Sequence, residues 1–316
     1  MTTPLTTTLR WWLFALLLLP VAVIAAGPRV VATIPPIHSL VAGVMAGVGE
    51  PALLIPGGQS PHSFTLRPSE VRLLNQADLV VWVGETLERP LARSLEAAGA
   101  GDRSLKLMTL PAVALLEVRS GGLWEVRHDH GKGHDAHERE AERFDPHLWL
   151  SPANAAVVVR SLAAVLSELD PANAERYRAN SSALQARIRQ LDRTLTARLE
   201  PVRDLPYLVF HDAYHYFEHH YDLNAVGAVT LSPEQAPGAR RLHNLRSRIE
   251  ASGARCLFRE PQFEPRLVET LVEGTETESA VLDPLGADLA PGPDAWFQLL
   301  EGLADTLVGC LSGPAR

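Results

Sequence analysis

Three histidines and one carboxylate stand just past apolar runs or in loops that precede helices. His62 lies in "PGGQSPHSF", the loop after "ALLI", and His211 comes immediately after "YLVF". Asp283 comes immediately after "AVL", in "LDPLG", and His147 lies in "FDPHLWL", just before a helix expected from Pro152. In open parallel sheets ligands bind beyond the carboxyl ends of the strands, so this placement can bring all four to one cleft. Three imidazoles and one carboxylate fill a tetrahedral site and suit zinc, whereas manganese and magnesium favour more oxygen ligands. The separations are long, so no short motif carries the argument; the repeated position at strand ends does. Glu260, after "CLF", points at the same rim and reads as a partner that orients a ligating imidazole.

Other histidines have weaker claims. The tract "HDHGKGHDAHE" places His128, His130, His134 and His137 within ten positions, a metal-binding composition. Gly131 and Gly133, with charges on all sides, make it a solvated loop that must be ordered before it can bind, so it is expected to be an accessory site. In "HDAYHYFEHH", His215 and His219 follow His211 at four and eight residues, one face of a helix by spacing. The Glu of a zinc-protease HExxH motif is missing there, and His219 and His220 read as a solvated face. His38, near the start of a helix, reads as structural. A zinc hydrolase, the rival from another class, would nominate Glu260 or Glu85 as its base, and neither has a recognised catalytic spacing.

The elements that must position these groups alternate between short β-branched runs and amphipathic segments. Strands are expected at 30–34, 52–55, 78–83 and 104–108, and again at 207–210, 223–229, 256–258 and 280–282, with helical stretches between them. That alternation predicts an α/β fold: two similar lobes with mainly parallel four-stranded sheets. Between them Tyr177, Leu184, Ile188, Leu191, Leu195 and Leu199 recur at helical period, with Asp170 as N-cap, Pro171 in the first turn and Pro201 as terminator. The expected organisation is a leader at 1–26, a first lobe at 27–169, a stiff linking helix at 170–200 and a second lobe at 201–316. The metal cleft lies between the lobes.

The first 26 residues carry one Arg, an apolar run from Trp11 and small residues at the end, the pattern of a secretory signal peptide. The run is shorter than the roughly 20 residues a spanning helix needs, and no later run is expected to span. Removing the leader takes away Arg10 alone and moves the formal charge from −8 to −9. An acidic chain of this kind argues against nucleic acid as a partner. Cys256 and Cys310 are the only cysteines. In an exported chain an isolated pair is expected to form a disulfide; a metal site of two thiols is the alternative, and neither Cys neighbours a His.

The segments "SPHSFTLRPSEVRLLNQADLVVWVGETLE", "FDPHLWLSPANA", "VFHDAYHYFEHHYDLNAVGAVTLSPEQAPGARRL" and "FREPQFEP…LDPLG" resemble the ZnuA-like zinc-binding proteins of bacterial zinc-uptake ABC transporters. These belong to the metal-binding cluster (A-I) of periplasmic solute-binding proteins, and the similarity runs through essentially the whole mature chain. The resemblance implies two α/β lobes joined by a rigid helix, with one metal buried between them. It puts the family's first, second and third ligands on His62, His147 and His211. Asp283 falls where manganese relatives have a ligating carboxylate and where water can stand in zinc members. Manganese and iron relatives carry Glu at the position of His211. Residues 124–143 match the family's His/Asp/Glu-rich loop, here rather short. The implied function is zinc capture in the periplasm, by a monomer, and delivery to an inner-membrane permease driven by a cytoplasmic ATPase. A manganese or iron carrier on the same scaffold is the nearer alternative. Zinc is then a transported ligand, and no catalytic residue is implied.

Overall fold

The computed structural model describes residues 27–97, 99–120, 124, 143–230, 239–262 and 265–313. The expected leader and the tract at 128–137 lie outside these residues. The first sheet is built from β1 (Val30–Ala32), β2 (Ala52–Leu53), β3 (Leu79–Trp82) and β4 (Ser104–Lys106), all parallel, in the order β2-β1-β3-β4. The second repeats it with β5 (Tyr207–His211), β6 (Ala225–Thr230), β7 (Cys256–Arg259) and β8 (Glu278–Val281), in the order β6-β5-β7-β8. In each sheet the chain leaves the first strand toward one neighbour and returns to pair on its other side. That reversal opens a crevice at the carboxyl ends of the central pair.

In the first half the strands alternate with α1 (Pro35–Val44), α2 (Pro68–Gln76) and α3 (Arg89–Ala97). Proline at the first turn of α1 and α2 suits the fixed φ of that position, and the Glu70 carboxylate accepts from the Arg67 N–H at 2.6 Å. After β4 come α4 (Pro152–Leu169) and α5 (Ala174–Leu199), joined by a tight 3-10 turn at Pro171–Asn173 and packed on each other. The Ser151 hydroxyl caps α4 by accepting from the Asn154 N–H at 3.2 Å. α4 is 18 residues long with a mean hydropathy of 1.2, so one later run does reach a spanning length; half of it is buried inside the protein. The second half adds α6 (His215–Tyr221), α7 (Ala239–Ser252), α8 (Pro265–Val272) and α9 (Ala295–Leu311).

The periodic stripe expected on the linking helix is the buried face of α5: Tyr177, Leu184, Ile188, Leu191, Leu195 and Leu199 are all in the core. Asp170 ends α4 rather than capping α5, and its carboxylate accepts from Asn173 Nδ2 at 2.7 Å and from the Tyr177 hydroxyl at 2.8 Å. Pro201 lies inside a further 3-10 turn at Glu200–Val202. At 1.5 Å per residue α5 alone spans about 39 Å.

One apolar core runs from the first sheet through α4 and α5 to β5, β7 and α9. A smaller cluster (Leu208, Phe210, Val229, Leu245, Ile249, Leu257, Val268 and Leu271) lies under α7 and α8. The last helix, α9, crosses back onto α1 and α5. There the Trp296 N–H donates to Ser39 Oγ at 2.9 Å, its indole to the Trp149 carbonyl at 2.8 Å, and the Trp149 indole to the Pro284 carbonyl at 2.8 Å. These bonds tie residues of both halves across the floor of the cleft. Cys256 and Cys310 form the expected disulfide, linking the start of β7 to the end of α9. Closing a loop of that length stabilises by about 4 kcal/mol in the chain-entropy picture.

Candidate metal centre

The crevice of the second sheet supplies the first ligand position. His211 is the last residue of β5, and Glu260 directly follows β7, the strand paired with it. The neighbouring strand ends therefore set imidazole and carboxylate side by side: His211 Nδ1 is 2.9 Å from Glu260 Oε1. Glu260 is 2% exposed, and its other oxygen accepts from Gln262 Nε2. A carboxylate on Nδ1 fixes the tautomer with the proton there and turns the Nε2 lone pair outward, the usual support for a metal-bound histidine.

His147 is held in the same way by a local turn. Asp145 Oδ1 accepts from the His147 backbone N–H at 2.9 Å and lies 2.7 Å from its Nδ1. Pro146 between them restricts the backbone, and the Asp side chain bonds two residues ahead, which is how Asx turns form. The imidazole stands edge-on to Trp149 at 5.3 Å.

His62 comes from the opposite side, in the loop between β2 and α2. That loop presses on the segment after β8: a Cβ at Gly57 would collide with the Ala287 backbone. The three rings meet with centroids 5.1–5.6 Å apart, and one ligand nitrogen from each lies within 4.8 Å of the others. His147 and His211 are buried and His62 is half-buried. The cavity at their junction holds only about 10 Å³ and is lined by the three histidines, Trp149, Glu260 and Leu285 among others. That is room for one ion or one water.

The electrostatics separate His62 from His211. Burial, with His211 and His147 adding, pulls the His62 imidazole well below the ordinary histidine value, so it stays neutral and able to ligate. Burial pulls His211 down as well, but the charge and hydrogen bond of Glu260, with Asp212 and Asp145, outweigh it and hold His211 above the ordinary value. The same balance keeps Asp145 ionised: burial opposes the charge, and His147 more than restores it.

Asp283 does not join the three histidines. Its carboxylate accepts from the Leu285 N–H at 2.9 Å and the Ala287 N–H at 2.5 Å, closing the "DPLG" turn against which the His62 loop packs. Glu260 stands where the sequence reading places it, as a partner of His211. The single helical face proposed for His211, His215 and His219 does not form, because His211 belongs to β5 and α6 begins only at His215. His219 is exposed, and His220 Nε2 bonds Asp192 on α5 at 2.7 Å. His38 is buried with Nε2 3.0 Å from the Pro51 carbonyl, a packing role.

Two features escaped the sequence reading. One is Asp145, whose signal was the "DPH" spacing. The other is a buried ion network around Arg119, which bonds Asp212 through two guanidinium nitrogens and reaches Glu218 Oε2 at 2.7 Å. Tyr207 donates to Glu218 Oε1 at 3.1 Å. No local motif connects residues about 90–100 positions apart.

The chain matches, over residues 30–310, the model of the family described as "Zinc-uptake complex component A periplasmic". The high-affinity zinc uptake system protein ZnuA of Brucella suis biovar 1 is 40% identical over 312 residues, covering 91% of this chain and 93% of that protein. The corresponding protein of Yersinia pestis is 36% identical, covering 90% and 92%. Among solved structures, a zinc-bound ZnuA lacking its residues 138–173 superposes with a TM-score of 0.74 at 25% identity, over 91% of this chain and 99% of that one. Parallel sheets of the same order, three convergent histidines and a match along almost the whole chain agree: the protein belongs to the periplasmic zinc-uptake component A family.

Proposed function

We propose that the protein captures a zinc ion in the periplasm through His62, His147 and His211 and hands it to an inner-membrane ABC permease powered by a cytoplasmic ATPase. The observation that carries this reading is the convergence of three imidazoles from three separate segments. Two of them are fixed by carboxylates so that Nε2 faces the centre. An all-imidazole set is matched to zinc, whereas manganese would call for more oxygen. The fourth tetrahedral position is left to a water or to Asp283, whose carboxylate also accepts from the Leu285 and Ala287 N–H groups. The export leader expected at 1–26 accounts for delivery to the periplasm.

Capture fits the site better than catalysis. A zinc hydrolase needs an open metal face and a carboxylate free to act as base. Here the cavity is too small for a substrate, and Glu260 is bonded to His211 and Gln262. The test is a competition titration with zinc on the protein and on its His147→Ala and His211→Ala variants. Loss of tight binding in both supports the reading; nanomolar-range binding left intact in either overturns it. Metal analysis of protein purified without added metal separates zinc from manganese or iron.

A further inference from the structure

The "HDAYHY" segment does more than lead from β5 into a helix. His211 ends β5, and the Ala213 N–H donates back to the His211 carbonyl at 2.9 Å, so α6 starts close beside that ligand. Tyr216, in the first turn of α6, is 2% exposed. Its hydroxyl donates to the Asp145 carbonyl at 2.8 Å and accepts from the Leu116 N–H at 3.1 Å. Both partners lie in the first half of the chain, 71 and 100 residues away.

Those partners belong to one narrow ribbon. The Asp145 N–H donates to the Leu116 carbonyl at 2.9 Å, the Val118 N–H donates to the Arg143 carbonyl at 3.0 Å, and Glu117 pairs antiparallel with Phe144. Two strands alone are marginally stable and need packing from outside. The ribbon runs straight into the Asp145-Pro146-His147 turn, where Asp145 holds His147 by backbone and by ring. The position of Asp145 therefore sets the position of the imidazole. Arg119 ties the far end of the ribbon to Asp212 and Glu218, whereas Tyr216 grips the backbone of Asp145 itself. The rings reflect this: His147 and His211 have centroids 5.1 Å apart, against 5.5 and 5.6 Å for the pairs with His62.

We propose, building on the capture reading, that Tyr216 is a positioning residue of the metal centre. Its hydroxyl hangs the His147 turn on the helix that follows His211. Two of the three imidazoles then stand at a fixed separation before the ion arrives, and His62, from the opposite loop, completes the set. Ligands held in place beforehand bind more tightly because less ordering is left to the binding step. Tyr216 acts on the ion only through Asp145 and His147.

Zinc competition titrations on the full chain test it with Tyr216→Phe, which keeps the buried ring and removes the hydroxyl. Groups that orient metal-bound histidines are worth roughly 10- to 100-fold in affinity, and Tyr216→Phe should bind zinc about tenfold more weakly. Tyr177→Phe removes another buried hydroxyl, bonded to Asp170 at the turn between α4 and α5, and should bind zinc as the native chain does. The visible spectrum of cobalt-loaded protein, which reports coordination geometry, should change in Tyr216→Phe and not in Tyr177→Phe. The loss should persist in a His62→Ala background, which keeps the His147–His211 pair. It should vanish in a His147→Ala background, where no imidazole is left for Tyr216 to place. Unchanged affinity in Tyr216→Phe, an equal loss in Tyr177→Phe, or a loss that survives in His147→Ala would overturn the proposal and leave capture standing. Tight zinc binding untouched by His147→Ala alone would overturn the capture reading, and the role of Tyr216 with it.

Discussion

Replacing Glu260 by Gln separates two things that its carboxylate does for His211. The side chain is 2% exposed, with Oε1 2.9 Å from His211 Nδ1 and Oε2 bonded by Gln262. Glutamine keeps the shape and one acceptor, so the ring stays oriented, but the charge is gone. Partners of metal-bound histidines are worth roughly 10- to 100-fold in affinity. With the acceptor retained, the loss belongs near the lower end, about tenfold or about 1.4 kcal/mol. The pH dependence is the sharper signature. In the native protein His211 is held above the ordinary histidine value, chiefly because Glu260 outweighs burial. Protons therefore compete with the metal already above about pH 6.5. Without the charge, burial prevails and the competition starts lower. The variant should bind zinc about tenfold more weakly near pH 8, and the gap should narrow as pH falls toward about 6. Competition with a chromophoric chelator across that range reads both. An absent gap, or one that widens on acidification, would refute the account of Glu260.

Three further outcomes follow from other parts of the structure. Glu88 is fully buried; burial outweighs its bonds from Thr33, Val83 and Gly84 and raises its carboxyl to about 7 from 4.5. A carboxyl raised on folding stabilises below its unfolded value and loses that contribution as pH rises through the folded one. Metal-free protein should thus lose about 3 kcal/mol between about pH 4.5 and 7 from this group. Glu88→Gln should melt above the native chain at pH 8 and converge with it near pH 5, and a constant or reversed gap in thermal scans would contradict this. Arg119→Leu leaves Asp212 and Glu218 buried without their counter-charge, so urea unfolding should show about 3–5 kcal/mol less stability; a loss below about 1 kcal/mol would show the network to be dispensable. Gly57→Ala drives a methyl into the Ala287 backbone and lifts the loop that carries His62. Overpacking of this kind costs about 1–3 kcal/mol, expected here as weaker zinc binding by titration, and unchanged affinity would mean the loop closes without that contact.

The strand runs, the helix α2 at 68–76, the stripe on α5 and the pairing of the two cysteines were legible in the sequence, because each is set by local periodicity or by elimination. So was the placement of His211, because a polar residue just past a β-branched run in an α/β chain falls at the rim where ligands bind, and of His62 and His147, in loops that open onto that rim. Asp283 follows the same rule, and its carboxylate accepts from the backbone N–H groups two and four residues ahead, closing its own turn. Tertiary structure decided which nitrogen of His211 faces the centre, because Glu260, 49 residues away, selects the tautomer through a contact of 2.9 Å that spacing does not encode. It also decided that His211 and His215 part company, one ending a strand and the other opening a helix, and that His215 comes to rest beside Asp145, 70 residues before it. Residue types establish which chemistry the chain can hold; packing of the two sheets sets which of the described histidines converge within 4.8 Å.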